Sequence, residues 1–434
     1  MKRIIDAHLL EWKNNSSRKP LLLRGARQVG KTYAVRALGK TFKNFVEINF
    51  EMRPDLALVF EKDLIPERII RDLSLLLQVE IKAGQTLLFF DEIQNAPTGI
   101  TALRYFYELM PELAVIAAGS LLDFAIDTVG IPVGRVTSLY MYPLSFIEFL
   151  WALDKDLLAQ ELMQSNKDTF SEPVHSGALE LIGNYIAIGG MPEAVKAWKE
   201  TKNLAACAHI HHTLIDTYRQ DFGKYAKKFQ IKYVSLLFDN APLQLGKQYK
   251  YSHIEGEYRK RELAPTLDLL ETAGIIHKVL NTSGNGIPLG AEADPGRFKI
   301  TFLDVALSNA LLGLKIENWF LKPLEELVNK GELVESLVGQ ELLAYGNPFQ
   351  KGQLYYWERL APSSQAEVDY LIQKNEQVIP IEVKSGAGST LKSMHMFLES
   401  HPKSEYGIRF STQNYSQFQK IYSYPLYAIY KAIF

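Results

Sequence analysis

Eight consecutive residues near the start of the chain have the types and spacing of a loop that holds phosphate groups. They are Gly25, Ala26, Arg27, Gln28, Val29, Gly30, Lys31 and Thr32, and they fit G-x-x-x-x-G-K-[ST] at every fixed position. The loop follows an apolar run, Leu21 to Leu23, and leads into a predicted helix from Thr32 to Leu38, which is the context the pattern requires. Glycine lets the backbone N–H groups turn toward the phosphates, and the helix N-terminus adds partial positive charge. The pattern predicts a site for ATP.

A second apolar run ends in two acidic residues. Leu87 to Phe90 is followed by Asp91 and Glu92, and a buried strand that ends in carboxylates places them at the edge of a parallel sheet where ligands bind. We expect Lys31 to bridge the β- and γ-phosphates, while Thr32 and Asp91 hold Mg²⁺. Glu92 would polarise the attacking water.

Two further residues have a catalytic and an ordinary interpretation. Ser120 follows the apolar run Ala114 to Ala118, where it would contact the γ-phosphate or the water as a sensor, or would simply cap the end of a strand. Arg135 follows Gly134 in a predicted loop. It would reach the γ-phosphate of a neighbouring subunit as an arginine finger, or would be a surface arginine.

Carboxylates and a lysine recur near the end of the chain. Two alternating segments, Glu367 to Ile372 and Pro380 to Lys384, are joined by a polar turn and predict a hairpin. Asp369 and Glu382 would share a metal ion, and Lys384 would project on the face of Glu382 because side chains alternate along a strand. Such a set suits Mg²⁺-dependent phosphodiester hydrolysis. A preceding helix, Gly331 to Leu343, offers Glu335 and Glu341, whose spacing allows only one to join the site.

Several of these segments resemble a prokaryotic group of AAA-type ATPases. The resemblance covers nearly the whole chain and is carried by Leu23 to Thr32, Phe90 to Gln94, Gly119-Ser120, Gly134-Arg135, Tyr142 to Phe149 and Gly189 to Ala194. Members of this group couple an AAA module to a C-terminal domain of formerly unknown function that resembles PD-(D/E)XK nucleases. The resemblance implies an oligomeric ATPase, and it leaves the physiological role open.

The PD-(D/E)XK resemblance also implies roles for individual residues. Asp369, Glu382 and Lys384 take the motif positions, and Glu335 matches the helical acid better than Glu341. The chain departs from the pattern at Val368, which stands where the motif has proline. Because several domains of this superfamily keep the fold without cleaving nucleic acid, metal-dependent cleavage and a non-catalytic domain are both open.

A basic segment lies between Lys224 and Arg261. It holds nine lysine and arginine residues against three acidic ones, a net charge of +6 in a chain whose total is −1, and such a face can neutralise several phosphates. A predicted helix from Arg261 to Ala273 follows, and its start stays open because Pro265 is expected to be tolerated only in a first turn. A predicted hairpin with its turn at Ser283 to Gly286 completes the order of a winged helix, which can contact DNA or serve only in subunit packing.

Composition narrows the class of protein. The 434 residues are 47% hydrophobic and 22% charged, as expected for a globular chain of several domains. We expect no membrane span, since no run of about 18 uncharged apolar residues occurs, and no signal peptide at Met1 to Asp6. Cys207 is the only cysteine, which excludes an internal disulfide and suits a reducing cytoplasm.

The apolar runs and helical periodicities predict an α/β fold of four parts. We predict a P-loop ATPase domain of the AAA type over 1–150, a helical lid over 151–225, a winged-helix-like domain over 226–325 and a nuclease-like α/β domain over 326–434. The leading hypothesis is an ATPase that acts on or near DNA, forms a homo-oligomer, uses ATP and Mg²⁺, and carries a C-terminal domain that is a candidate nuclease. The alternative is a nucleotide-dependent regulatory or defence switch that binds a protein partner and whose nuclease-like domain is non-catalytic.

Overall fold

The computed structural model describes residues 1–164, 169–361, 364–384 and 391–434. The chain forms two compact units. Unit 1 contains 1–142 and the short segment 347–351, and unit 2 contains 143–346 and 352–434. Within the described residues, no helix is long and apolar enough to cross a membrane.

Unit 1 is built on a parallel sheet of five strands in the order β2-β3-β4-β1-β5. Its strands are β1 (Leu21–Arg24), β2 (Asn44–Asn49), β3 (Thr86–Asp91), β4 (Ala114–Ala118) and β5 (Thr137–Tyr140). Its helices are α1 (Ile5–Asn14), α2 (Lys31–Gly39), α3 (Pro66–Leu77), α4 (Pro97–Leu109) and α5 (Leu122–Val129), with short 3₁₀ turns at Pro54–Phe60 and Ile93–Asn95. The predicted parallel α/β sheet is confirmed.

Apolar residues explain the position of the central strands. Every residue of β3 and β4 is buried, as expected for parallel strands covered on both faces. Phe90 of β3 contacts the rings of Phe50, Phe60 and Phe106, and these aromatic residues belong to one hydrophobic core cluster of the unit. The core therefore fixes the end of β3, from which Asp91 and Glu92 emerge.

Unit 2 begins with helices and ends with a mixed sheet. Its helices are α6 (Phe146–Ala152), α7 (Asp156–Met163), α8 (Glu172–Ile188), α9 (Pro192–Thr201), α10 (Leu204–Tyr225), α11 (Ile231–Asn240), α12 (Lys260–Thr272), α13 (Val305–Leu311), α14 (Asn318–Leu321), α15 (Pro323–Asn329), α16 (Gly331–Tyr345), α17 (Lys392–Ser400) and α18 (Tyr430–Ile433). Short 3₁₀ turns lie at Ala241–Gln244, Tyr251–His253, Leu289–Glu292 and Leu426–Ala428.

The sheet of unit 2 has eight strands in the order β12-β13-β11-β10-β9-β8-β6-β7. They are β6 (Ile276–Thr282), β7 (Ala293–Phe302), β8 (Leu354–Ala361), β9 (Ser364–Lys374), β10 (Gln377–Val383), β11 (Gly407–Ser411), β12 (Ser416–Phe418) and β13 (Ile421–Pro425). The predicted C-terminal hairpin is present, since β9 and β10 pair antiparallel from Lys374 and Gln377.

The hairpin predicted as a β-wing is present, but its surroundings differ from those of a wing. β6 and β7 do form an antiparallel pair, but β6 also pairs in parallel with β8, so the hairpin is an integral part of the larger sheet. Its tip packs inward as well. The carbonyl oxygen of Ser283 lies 2.9 Å from His401 Nε2, and a Cβ added at Gly284 would lie 2.9 Å from Leu371 Cδ1. The hairpin is therefore not a free wing.

The predicted segments 151–225, 226–325 and 326–434 lie within one compact unit, where the shared sheet joins the last two, and their division into domains stays a prediction. The expectation that Pro265 lies in the first turn of α12 is wrong. The helix begins at Lys260, where Glu262 Oε2 accepts a 2.9 Å hydrogen bond from Arg259 N, and Pro265 lies inside the helix beyond its first turn.

Candidate functional site

The phosphate loop of unit 1 depends on glycine at both of its fixed positions. Gly25 has φ +144°, and a Cβ added there would lie 2.1 Å from the carbonyl oxygen of Met141. Gly30 has φ +100° at the N-terminus of α2, a conformation that side chains with a Cβ rarely adopt. Gln28 also has a positive φ of 63°. The loop thus curls between β1 and α2, as the sequence predicts.

Lys31 lies under this curl with its ammonium group inside the loop. Its Nζ donates to the carbonyl oxygens of Gly25 and Ala26 at 2.9 and 2.8 Å. Burial lowers the pKa of Lys31 to about 8, although the carboxylates of Glu92 and Asp91 act in the opposite direction. The ammonium group is therefore held by neutral carbonyls, which leaves its charge to attract an anionic ligand.

Two oxygen ligands suitable for Mg²⁺ meet beside this loop. Thr32 Oγ1 donates to Asp91 Oδ2 at 3.0 Å, and Asn49 Nδ2 lies 3.4 Å from the same oxygen. Mg²⁺ prefers hydroxyl and carboxylate oxygens together with substrate phosphates, so the residues present fit the ion. Burial, followed by the charge of Glu92, raises the pKa of Asp91 to about 6. A divalent cation would favour the ionised form.

Glu92 begins a turn that positions its carboxylate. The residue has φ +51° and precedes the 3₁₀ turn Ile93–Asn95. Its Oε2 accepts a 2.5 Å hydrogen bond from Gln94 Nε2. A Cβ added at Gly119, which follows β4, would lie 2.0 Å from Gln94 Oε1. Glycine at this position therefore gives Gln94 the space to hold the carboxylate of Glu92.

Ser120 and Arg135 have different surroundings. Ser120 Oγ is buried and has no hydrogen-bond partner among the described residues, and α5 begins only at Leu122. Arg135 Nε donates to Glu108 Oε1 at 3.0 Å, and its side chain is 45% exposed. Ser120 thus has an unsatisfied hydroxyl at the end of β4, while Arg135 remains accessible at the surface of unit 1.

The predicted C-terminal carboxylates of unit 2 do lie close together. Asp369 on β9 accepts a 2.7 Å hydrogen bond from the backbone N of Val383 on β10. Lys384 Nζ is 2.8 Å from Glu382 Oε1, whereas Glu382 Oε2 is buried without a hydrogen-bond partner among the described residues. Burial, followed by the charge of Asp369, raises the pKa of Glu382.

A lysine that the sequence analysis did not consider lies in this cluster. Lys299 Nζ is 2.9 Å from Glu335 Oε1 and 3.8 Å from Asp369 Oδ1, and it also contacts Glu367 Oε1. Within the ranges that the structure describes, no group of three or more His, Cys, Asp or Glu side chains is arranged to hold a metal ion. An ammonium group therefore lies where the sequence predicted a metal, and the residues present do not fit that ion.

The two candidate acids of α16 have separate environments. Glu335 joins the cluster through Lys299, as the resemblance implies. Glu341 is buried elsewhere, where both of its carboxylate oxygens accept hydrogen bonds from Phe146 N at 3.0 Å and Oε1 accepts another from Tyr185 Oη at 2.8 Å. Burial raises the pKa of Glu341 to about 7. Glu341 thus holds the N-terminus of α6.

A family model described as an AAA domain matches residues 17–150. This range contains the phosphate loop, Asp91, Glu92, Ser120 and Arg135. This match supports a P-loop ATPase domain of the AAA type in unit 1. Two models described only as domains of unknown function match residues 179–318 (DUF8612) and 330–429 (DUF4143). The AAA assignment supports binding and hydrolysis of ATP, while the other two matches assign no activity.

Similarity to solved structures is weak. The Walker-type ATPase PABY2304 of Pyrococcus abyssi is 14% identical, with a TM-score of 0.45, over 72% of this chain and 95% of that one. The Aeropyrum pernix ORC1 protein, solved in complex with DNA, is 14% identical, with a TM-score of 0.31, over 75% and 95%. Protein VC1899 from Vibrio cholerae is 10% identical, with a TM-score of 0.17, over 96% and 97%. No curated protein matches the chain.

Two residues that support the AAA site were missed by the sequence analysis. Arg3 is buried, and its guanidinium donates to the carbonyl oxygens of Val29 in the phosphate loop and Tyr142 at 2.8 and 2.7 Å. Asn49 lies opposite Asp91 in the register of β2 and β3. A polar residue at the end of a neighbouring strand is a signal for Asn49, whereas no sequence signal identifies Arg3.

Proposed function

We propose that this protein hydrolyses ATP with Mg²⁺ in its AAA domain and that its unit 2 contacts DNA. The observation that carries the first part is the convergence of Lys31, the Thr32–Asp91 pair and Glu92 beside one glycine-rich loop. Positive charge, metal ligands and a candidate water-activating carboxylate are the groups that phosphoryl transfer to water requires.

Each group has a distinct task in this proposal. Lys31 exchanges its contacts with the loop carbonyls for the β- and γ-phosphates of ATP. Thr32 and Asp91 hold Mg²⁺, which when bound neutralises charge on the phosphate oxygens. Glu92 accepts a hydrogen bond from the attacking water once Gln94 releases it, and Ser120 Oγ donates to the γ-phosphate or the same water.

Arg135 acts on a neighbouring subunit in this proposal. Its exposed guanidinium pairs with the partly exposed Glu108 carboxylate, and surface ion pairs of this kind are worth about 0–1 kcal/mol. Transfer of Arg135 to a γ-phosphate therefore costs little. The proposal needs an assembly in which one copy presents Arg135 to the next, which agrees with the expected homo-oligomer.

Contact with DNA is supported by the basic segment of unit 2. All nine of its basic side chains are exposed; they are Lys224, Lys227, Lys228, Lys232, Lys247, Lys250, Arg259, Lys260 and Arg261. Phe229, beside Lys227 and Lys228, is 65% exposed and offers a ring that can stack on a base. Because the hairpin tip is packed against the sheet, the proposal places the contact on the helices and not on a wing.

Nuclease activity does not form part of this proposal. The element order α16, β8, β9, β10, α17, β11 supports a nuclease-like fold. Lys299, however, pairs with Glu335 and Asp369, two of the three acids that would hold the metal. This observation favours the alternative of a nucleotide-dependent switch with a non-catalytic nuclease-like domain, in which a protein partner and not DNA changes the rate of ATP hydrolysis.

The ATPase proposal is tested by Glu92→Gln, with Glu112→Gln as a matched control at an exposed acid of unit 1. Glu92→Gln should bind ATP as tightly as wild type and stop turnover, because it removes the carboxylate that orients water and leaves Asp91 on the metal. Equilibrium binding of a fluorescent ATP analogue and steady-state phosphate release measure the two effects. Turnover at the wild-type rate would show that Glu92 does not activate the water.

The DNA proposal is tested by an electrophoretic shift assay with and without ATP. Lys227→Glu with Lys228→Glu should weaken binding and reduce the salt slope by about 0.9 per lost phosphate contact. The control is Lys403→Glu with Lys420→Glu, which changes the charge equally at exposed sites outside the basic segment. Equal losses in both double variants would contradict the proposed surface. If added DNA does not change the rate of ATP hydrolysis, the result would favour the alternative of a nucleotide-dependent switch that binds a protein partner.

A further inference from the structure

Lys299 is a charged side chain in the interior of unit 2. It lies on β7 and is 1% exposed, although lysine is almost never fully buried unless it is paired. Its partners come from two other elements, with Glu335 on α16 and Glu367 and Asp369 on β9. The two β9 acids share a face because they are two residues apart. One ammonium group thus connects three carboxylates.

We propose that Lys299 is a resident cation that takes the place of a divalent metal ion in this cluster. The carboxylates of Glu335, Glu367 and Asp369 are then an ion-paired core of unit 2, and the wild-type cluster takes up no Mg²⁺ or Mn²⁺. In their present positions these side chains are not arranged as a metal site among the described residues; without Lys299 they can close in on the place of its ammonium group and form a latent divalent-cation site. This proposal does not depend on ATP hydrolysis by the AAA domain.

The geometry opposes simultaneous occupation by lysine and metal. Mg²⁺ would have to contact the carboxylate oxygens directly, at about 2.0–2.1 Å, and Lys299 Nζ is already 2.9 Å from Glu335 Oε1. A fixed positive charge this close repels a divalent cation. Asp369 Oδ2 is also engaged, since it accepts a hydrogen bond from Val383 N.

Lys299 is also anchored in the sheet. It pairs with Val279 in the register of β6 and β7, and β6 is itself paired with β8. Its ammonium group lies 5.3 Å from the centroid of the Tyr356 ring, a distance at which a cation is attracted to the ring face. The backbone and the ring therefore both favour the inward position of the side chain.

Removal of the ammonium group would leave oxygens of the kind that Mn²⁺ prefers. Lys299→Met keeps an apolar chain of similar length and frees the oxygens of Glu335, Glu367 and Asp369. Glu382 Oε2, which has no hydrogen-bond partner among the described residues, is a fourth oxygen in this part of the unit. The variant should therefore gain a binding site that wild type does not have.

The experiment is a titration with Mn²⁺ alone, without nucleotide, followed by electron paramagnetic resonance of the free ion. Every protein carries Asp91→Asn, which removes the metal ligand of the AAA domain. With Lys299 intact, no saturable binding is expected. Lys299→Met should bind one Mn²⁺ per chain, and the further change Asp369→Asn should abolish that binding.

Lys278→Met is the matched control. Lys278 on β6 is also paired with two acids, Asp268 and Glu271, but lies outside the cluster, so its removal should create no site. The proposal would be overturned if protein with Lys299 intact bound Mn²⁺ saturably and lost that binding on Asp369→Asn. This measurement tests the proposal even if Lys299→Met fails to fold. Folded Lys299→Met that binds no Mn²⁺ would overturn the latent site.

Discussion

Lys31 of unit 1 and Lys299 of unit 2 are both buried, but they differ in the groups that hold their charge. Lys31 Nζ donates to two backbone carbonyl oxygens, and burial lowers its pKa to about 8. Lys299 Nζ lies among three carboxylates, whose charges raise its pKa well above the ordinary value despite burial.

This difference distinguishes Lys31, whose charge is available to a ligand, from Lys299, whose charge is paired in the interior of unit 2. Neutral carbonyls stabilise the ammonium group of Lys31 without cancelling its charge, so an anionic phosphate gains the full attraction. The carboxylates around Lys299 already cancel its charge, and removing one partner of a buried ion pair costs about 3–5 kcal/mol. Burial alone therefore does not identify a functional lysine.

The largest expected effect is on ATP turnover. Lys31→Met should abolish nucleotide binding and lower steady-state phosphate release by at least about 100-fold, because Lys31 is the residue expected to bridge the β- and γ-phosphates. Lys299→Met should keep wild-type turnover at a temperature where it remains folded. Equal losses in the two variants would remove the functional distinction between the two lysines.

Arg135→Ala extends the comparison to a second subunit. If Arg135 acts as a finger on the neighbouring subunit, Arg135→Ala should bind ATP with normal affinity and lose turnover by about 10³-fold. Mixing with Lys31→Met subunits, which still supply Arg135, should restore part of the activity. Arg104→Ala is the control, since Arg104 also pairs with Glu108 and is exposed. No loss of turnover, or a loss that mixing never rescues, would contradict the assignment.

Lys299→Met should lower the free energy of unfolding of unit 2 by about 3–5 kcal/mol, because three carboxylates lose their common cation. Adding Glu335→Gln should recover part of this loss by removing one negative charge. Lys278→Met, at a more exposed pair, should cost about 1 kcal/mol or less. Urea unfolding measures all three. A loss for Lys299→Met no larger than for Lys278→Met would show that the cluster is not a core.

The smallest expected effect concerns Glu341, a buried acid whose carboxylate accepts hydrogen bonds from Phe146 N and Tyr185 Oη. Its folded-state pKa of about 7 lies above the ordinary value of 4.5, so the folded state binds a proton more tightly than the unfolded state. Its contribution to the free energy of unfolding therefore falls as pH rises from 4.5 to 7, by about 3 kcal/mol or less.

Glu341→Gln should remove this slope, because glutamine does not titrate. The measurement is urea unfolding at both ends of that pH interval. The control is Glu332→Gln, an exposed acid on the same helix, which should keep the wild-type slope. A stability difference between Glu341→Gln and wild type that is the same at both pH values would contradict the assignment.

Local patterns predicted much of unit 1. The strands ending at Arg24 and Asp91 fall where apolar runs stop, and Lys31 begins α2 as the loop pattern requires. These features depend on residues adjacent in sequence. Arg3 was not predictable in the same way, because its contact with Val29 joins residues 26 positions apart through the burial of one guanidinium.

Unit 2 shows the limit of such reasoning. The sequence pattern correctly predicted that β9 pairs with β10. It also predicted that Asp369 lies near Glu382, because a short turn fixes the register of a hairpin. It also placed β6 and β7 in a hairpin, but a hairpin pattern does not say whether its outer edge is free. Here that edge pairs with β8, so the predicted wing became part of the sheet.

The sequence by itself determined the phosphate loop, the acids that follow β3 and the parallel sheet between them, since each depends on short-range spacing and on apolar runs. Only the tertiary structure decided which cation meets the acids of unit 2. Lys299 and Glu367 are far apart in the chain, and neither belongs to a motif. Their contact follows from the burial of charge in a packed interior, where a carboxylate needs a cation and takes the one that the fold brings within reach.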